Sequence, residues 1–121
     1  MKKLYLLFIP VFLFILSGFC TAQINYINNE PSVPGKYILY QNYPNPFNPT
    51  TQIKYSLPKA GFVTVKVYNS LGNEVATLVN ETAAAGVYNI VFEGNNLSSG
   101  VYYLQLKANN FLKVKKMILL K

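Results

Sequence analysis

The sequence predicts an all-β protein, an antiparallel β-sandwich of about seven strands preceded by a signal peptide. Short segments in which apolar and polar residues alternate recur between residues 37 and 121, and this period of two is typical of strands with one buried face. Turn-forming Gly, Asn, Pro and Ser residues separate the segments. About seven strands in roughly 85 residues is the count of an immunoglobulin-like sandwich.

The signal peptide is expected to occupy residues 1–22. Lys2 and Lys3 form a positive start, residues 4–16 form an apolar core, and a small-residue pattern ends at Ala22. Cleavage is therefore expected between Ala22 and Gln23. The apolar core is shorter than the ~20 residues that span a bilayer, which disfavours the alternative of an uncleaved anchor. Membrane contact is expected only transiently, through this leader.

Cysteine usage gives no sign of disulfides. The only cysteine, Cys20, lies in the leader, so no thiol would remain after cleavage. A lipid-modified cysteine normally follows a small residue, whereas Phe19 precedes Cys20. The lipoprotein alternative is therefore disfavoured.

The chain is basic, with a formal net charge of +7. A positive surface suits nucleic acid, anionic lipid or solubility alone. Proteins that read nucleic acids depend on arginine for bidentate contacts, and the sequence contains none. Nucleic-acid binding is therefore not expected.

The composition also argues against an enzyme. The sequence contains no histidine, aspartate or arginine, which excludes Ser-His-Asp catalysis and His-ligated zinc. Its carboxylates are Glu30, Glu74, Glu81 and Glu93. A glycosidase needs two facing carboxylates, but these four fall in the lead-in, beside turns or at a strand end. We expect no catalysis, no cofactor and no metal site.

The chain divides into a short exposed lead-in, residues 23–36, and one domain, residues 37–121. Strands are expected at 37–40, 51–57, 62–68, 74–79, 88–93, a sixth that starts after residues 98–100, and 111–120. Apolar residues that share one face of a strand are Ile53, Tyr55, Leu57, Val63, Val65, Val67, Tyr88, Ile90, Phe92, Tyr102, Leu104 and Leu106. Turns are expected at residues 69–73, where Gly72 suits a positive φ, and at 109–110, with a loop at 82–85.

Residues 41–51, which we call the proline corner, contain three prolines spaced by two or three residues. Proline fixes φ and removes a backbone donor, so this segment cannot be a helix or a central strand. We expect a stiff corner where the chain crosses between sheets, with Tyr43 and Phe47 as apolar plugs. The alternative is a proline-rich linker, which rarely carries two aromatic residues.

The last predicted strand is rich in lysine. Residues 113–121, which we call the tail, continue an alternation in which Leu112, Val114, Ile118 and Leu120 share one face. Lysines on an edge strand prevent edge-to-edge aggregation. The functional alternative is that a partner recognises this strand by strand addition or surface docking.

Five stretches carry a resemblance to a known family. They are residues 41–58, beginning Q-N-Y-P-N-P-F-N-P-T-T, and residues 67–75, 85–88, 97–103 and 113–121. In order and spacing they resemble the type A C-terminal sorting domain of type IX secretion cargo. The resemblance covers about residues 37–121.

The resemblance implies a non-catalytic address for export. Such domains are recognised by an outer-membrane translocon and removed by a sortase-like peptidase, so the chain is expected to reach the periplasm and then be secreted or held at the cell surface. The implied recognition residues are Lys113, Lys115, Lys116, Met117, Ile118, Leu119, Leu120 and Lys121. The residues that match structural motifs are Pro44, Asn45, Pro46, Phe47, Asn48, Pro49, Gly72, Gly86, Tyr88, Gly100 and Tyr102.

Two other functions fit the same strands. A structural immunoglobulin-like module, similar to the flagellar hook-capping scaffold or a small adhesin, needs no role in secretion. A carbohydrate-binding sandwich would use exposed aromatic residues, for which Tyr26, Tyr103 and Phe111 are candidates.

Overall fold

The computed structural model describes residues 33–121, which form seven strands and no helix. The strands are β1 (Ile38–Leu39), β2 (Thr50–Leu57), β3 (Gly61–Asn69), β4 (Glu74–Ala83), β5 (Gly86–Glu93), β6 (Gly100–Ala108) and β7 (Phe111–Leu119). They make two antiparallel sheets, one in the order β1-β2-β5 and the other in the order β4-β3-β6-β7. Within residues 33–121 there is no helix long and apolar enough to cross a membrane.

The two sheets enclose one hydrophobic core. Alternate residues of β2, β3 and β6 are buried, as the period of two predicted. The largest fully buried apolar side chains are Phe47, Ile53, Tyr55, Leu57, Val63, Val65, Val67, Leu104, Leu106, Met117 and Leu119. Because the inner faces of both sheets supply these side chains, burial of the core holds the sheets together.

The expected turn between β3 and β4 is present. The Gly72 N–H donates to the Asn69 carbonyl at 3.0 Å, and the Asn69 side-chain oxygen accepts from the N–H groups of Leu71 and Asn73. Gly72 has a φ of +88°, a conformation that L side chains rarely adopt. The second tight turn, at residues 109–110, is also present, with Asn109 at a φ of +52°.

Strand β4 is longer than predicted. It continues to Ala83, which pairs with Gly61, so the first half of the expected loop at 82–85 is strand. Register shifts occur between Val65 and Lys66 and between Val67 and Tyr68. Extra residues in β4 at these shifts break the period of two, and the sequence pattern therefore concealed the end of the strand.

The prediction for the proline corner was partly wrong. The corner joins β1 to β2, which pair with each other in the three-stranded sheet, so the chain does not change sheets there. Phe47 is buried in the core as expected, but the Tyr43 side chain is 80% exposed and does not pack into the core. The corner instead reaches across to β7 of the other sheet, where Phe47 forms a parallel bridge with Leu119.

Candidate functional site: the tail strand and its clamp

The tail lies on an edge of the four-stranded sheet. Strand β7 pairs along its whole length with β6, in a register that runs from Gly100 opposite Leu119 to Ala108 opposite Phe111. Its other edge has no neighbouring strand in the sheet order. An edge strand offers backbone donors and acceptors to any extended chain that reaches it.

The eight recognition residues inferred from the sequence lie in different environments. Met117 and Leu119 are fully buried in the core, and Lys115 and Ile118 are half-buried. Four are exposed: Lys113, Lys116, Leu120 and Lys121. The buried pair has no free surface to offer a partner, although it fixes the position of the strand that carries the others.

The proline corner covers the C-terminal half of the β7 edge. The Phe47 N–H donates to the Ile118 carbonyl at 2.9 Å, and the Leu120 N–H donates to the Phe47 carbonyl at 3.0 Å. The Phe47 ring meets Phe92 of β5 with centroids 6.0 Å apart. These contacts, which we call the clamp, hold the end of the chain through backbone hydrogen bonds and through packing of the Phe47 ring in the core.

Two side chains extend the clamp along the strand. The Asn45 side-chain oxygen accepts from the Ile118 N–H at 2.9 Å. The Gln41 side-chain amide donates to the Lys116 carbonyl at 2.8 Å. Together with Phe47 they supply partners for the outward backbone groups from the Lys116 carbonyl to the Leu120 N–H, which a bare edge would leave to water.

Buried polar groups hold the corner in shape. Asn42 is buried, and its side-chain amide donates to the Thr51 hydroxyl at 2.9 Å and to the Pro44 carbonyl at 3.1 Å. The Thr51 hydroxyl donates to the same Pro44 carbonyl at 2.8 Å. Because buried polar groups are costly when unpaired, this closed set of bonds favours one corner geometry.

The N-terminal half of the β7 edge is open. The outward groups of Ile118 and Lys116 bond the clamp, and in an antiparallel ladder the same orientation recurs at every second residue. Leu112 and Val114 therefore turn their N–H and C=O groups to the same edge, and no partner for them occurs within residues 33–121. Their side chains are also exposed.

The tail is positively charged, and none of its lysines forms an ion pair with another of the residues 33–121. Within residues 33–121 the single ion pair joins Lys66 to Glu74 at 3.0 Å, away from the tail. The Lys121 ammonium instead donates to the Asn95 carbonyl, and the Lys121 backbone N–H donates to the Ser99 hydroxyl oxygen. In this part of the chain no three carboxylate or thiol residues cluster in a way that could hold a metal ion.

The two G-x-Y triplets begin strands β5 and β6 and make matching contacts. The Tyr88 hydroxyl donates to the Ala84 carbonyl at 2.6 Å, and the Tyr102 hydroxyl donates to the Ser98 carbonyl at 2.7 Å. Their glycines, both at positive φ, are Gly86 (+157°) and Gly100 (+155°). Each tyrosine ties the first residues of its strand to the preceding loop, as tyrosine corners do in β-sandwiches.

The aromatic candidates for carbohydrate binding are separated. Tyr103 is 38% exposed and borders an open groove of about 360 Å³ beside Tyr68, whose hydroxyl donates to the Gln105 side-chain oxygen at 3.2 Å. Phe111 is covered by Tyr37, which stacks on it at 5.1 Å. Tyr26 lies outside the described residues, as do the leader and its expected cleavage site at Ala22 and Gln23.

One known family matches a range of residues that includes both the proline corner and the tail strand. The profile described as the secretion system C-terminal sorting domain matches residues 41–120, about two thirds of the chain. The chain belongs to this family of type IX secretion sorting domains. The match begins at Gln41, which bonds the Lys116 carbonyl, and ends at Leu120, which bonds Phe47. The clamp thus ties the first residue of the matched range to the last strand.

Membership of this family implies a general role in secretion. A type IX sorting domain implies interaction with the type IX secretion machinery and delivery outside the cell or to its surface. No curated protein matches the chain.

Sequence reasoning missed several residues of the sorting domain's clamp and open edge. Gln41 and Asn42 belong to the proline corner, but no sequence pattern indicates that Gln41 bonds the tail or that Asn42 is buried. The alternation predicts that Leu112 and Val114 share one face of the last strand, but it does not indicate which face is exposed, and the two were not among the recognition residues. Their alternation with lysine on a terminal strand was the signal that could have found them.

Proposed function

We propose that this chain is a non-catalytic sorting module that directs passage across the outer membrane and surface delivery through the type IX system. The leader, residues 1–22, takes the chain to the periplasm and is cut between Ala22 and Gln23. An outer-membrane translocon then recognises the domain at residues 37–121, and a sortase-like peptidase removes it. The family match supports the secretion role, and the leader composition supports the first step.

We also propose that the fold is an immunoglobulin-like sandwich. Three strands face four, and the chain returns from β4 to the first sheet at β5 before it crosses again to β6. The strand count, the two-sheet core and the tyrosine contacts at Tyr88 and Tyr102 support this assignment.

The clamped but half-open tail strand is the observation that carries the proposed recognition. Burial of Met117 and Leu119 anchors β7, and the clamp occupies the edge beyond Lys116. The open part of the strand presents Leu112, Val114 and their unpaired backbone groups between lysines. A translocon strand or surface with apolar and acidic residues would complement this edge through main-chain bonds and charge.

The proposed contacts therefore exclude the buried residues. We assign direct contact to Leu112, Lys113, Val114, Lys115 and Lys116 and to the exposed end at Leu120 and Lys121. Met117, Ile118 and Leu119 act by holding the strand in register, because the first and last of these fill the core and the Ile118 backbone bonds Asn45 and Phe47.

The test uses the full chain with a reporter inserted in the lead-in, expressed in a host with a type IX system. Substitution of Lys113, Lys115 and Lys116 by glutamine removes three tail charges without touching the core. We expect the surface-exposed fraction of the reporter to fall several-fold while the periplasmic fraction rises.

A matched control removes the same charge elsewhere. Lys36, Lys54 and Lys59 are all exposed, and their replacement by glutamine should leave delivery unchanged. If both triple variants are delivered like the parent chain, the tail lysines only protect an edge and the structural-module alternative gains support. If both fail equally, total charge and not the tail sets delivery.

A further inference from the structure

Strand β5 also has an edge without a partner. The Gln52 N–H and C=O groups bond Tyr43, and the Lys54 carbonyl accepts from Tyr40, so both residues turn away from β5. Their partners across the ladder are Val91 and Asn89, which must turn their own backbone groups away from β2. By the same alternation, the backbone groups of Val87 also point away from β2. Among residues 33–121 no strand pairs with this edge.

The other sheet edges carry features that discourage pairing. Strand β1 has two residues, β4 contains two register shifts, and β7 has the clamp and its lysines. Strand β5 has eight residues without a proline or a register shift, and its one charge is the terminal Glu93. Val87 and Val91 are 52% and 58% exposed on its outer face. A long, regular edge with exposed apolar side chains pairs readily with another strand.

The sequence of β5 is self-complementary. Residues 87–91 read V-Y-N-I-V, with two apolar residues on either side of Asn89. Two copies placed antiparallel about Asn89 would set Val87 of each opposite Val91 of the other. Glu93 would face Ala85, so no like charges would meet across the pair.

We infer that β5 is the interface of a homodimer, in which two copies of this chain pair antiparallel about a two-fold axis at Asn89. The two three-stranded sheets become one sheet of six strands. Val87, Asn89 and Val91 of each copy exchange main-chain hydrogen bonds, and the exposed valines form cross-strand pairs. The interface lies on a different strand and sheet from the tail, so it leaves the β7 edge free.

The strength of this dimer follows from its size. One strand edge buries less surface than the roughly 1,200 Å² at which stable interfaces begin. We therefore expect a weak, reversible dimer.

Disulfide trapping in the full chain tests the register. In a Cys20→Ser background an introduced cysteine is the only one in the chain. Asn89→Cys places two cysteines opposite each other, with Cα atoms about 5.5 Å apart, within the range that a disulfide spans. Val87→Cys is the matched control, because its two copies would lie about 14 Å apart along the strands. We expect Asn89→Cys to crosslink and Val87→Cys to remain uncrosslinked.

Sedimentation velocity of the same chain tests the interface without a crosslink. Asn89→Lys sets two positive charges opposite each other and should leave only monomer. Gln52→Lys adds the same charge to the same face one strand further in, and should still dimerise. Monomer alone up to about 1 mM, equal crosslinking of both cysteine variants, or a dimer that survives Asn89→Lys would each overturn the inference. If Asn89→Lys does not fold, as judged by its circular dichroism, the two cysteine variants decide.

Discussion

Phe47 and Leu119 form a parallel backbone bridge that joins the proline corner to the last strand. Both side chains are fully buried. Gly94 fits against them so closely that an added Cβ would lie 3.0 Å from the Leu119 Cδ2 and 3.4 Å from the Phe47 Cε2. The proline corner and the last strand therefore meet at one tightly packed point.

The first prediction concerns the aromatic residue of this bridge. Phe47→Ala should lower the free energy of unfolding by about 3–5 kcal/mol, because it removes a buried ring and leaves a cavity. Tyr43→Ala, in the same corner but on an exposed ring, should change it by no more than about 0.5 kcal/mol. Urea unfolding of the purified chains measures both. Similar losses for the two variants would contradict the clamp as described.

The second prediction concerns Gly94, which lies at the same point. Gly94→Ala should destabilise the domain by about 1–3 kcal/mol, since its Cβ would crowd the Leu119 side chain. Gly35→Ala is the control, because nothing lies within 4 Å of an added Cβ there. Thermal unfolding compares them, and an unchanged melting temperature for Gly94→Ala would show that the packing is looser than described.

The third prediction concerns the tyrosine contacts. Tyr102→Phe deletes the hydroxyl that donates to the Ser98 carbonyl and should cost about 1 kcal/mol of stability. Tyr88→Phe should cost less, because its hydrogen bond lies at the exposed surface. The Tyr103 hydroxyl has no hydrogen bond within the part of the chain that the structure describes, so Tyr103→Phe should leave the free energy of unfolding almost unchanged. The reverse order in urea unfolding would reject this account.

The fourth prediction concerns the carboxylate of Glu74. The Thr77 hydroxyl, which donates to it at 2.8 Å, and the Lys66 ammonium hold the pKa of Glu74 below its usual value. A lowered pKa gives a stabilisation that is complete above the unfolded-state pKa and is lost as the pH falls through the folded-state pKa.

Carboxyl-carbon NMR titration measures that pKa directly. Thr77→Ala and Lys66→Gln should each raise the pKa of Glu74 towards its usual value, since the Thr77 hydrogen bond and the hydrogen bond and charge of Lys66 all lower it. An unchanged pKa of Glu74 in both variants would contradict this account.

The sequence predicted the strands where the alternation was undisturbed. The inward positions of Ile53, Val65 and Leu104 follow directly from the period of two, and all three are fully buried. The end of β4 could not be predicted in this way, because two register shifts break the alternation. Gly72 was predictable because few other residues adopt its backbone conformation.

The candidate site was predictable only in part. The tail and the proline corner each stand out in the sequence, but their contact depends on chain segments far apart, and no local pattern encodes it. The burial of Met117 and the exposure of Val114 depend on which face of β7 meets the core. Alternation separates the two faces of a strand, and only tertiary packing chooses between them.

Delivery of a reporter inserted in the lead-in of the full chain tests the central claim most directly. The same fusion is expressed in a host with an intact type IX system and in one whose outer-membrane translocon is deleted, and surface protease accessibility is measured in each. The proposal predicts a reporter that is accessible at the surface of the first host and retained in the periplasm of the second. Retention in both hosts, or surface exposure in both, would contradict it.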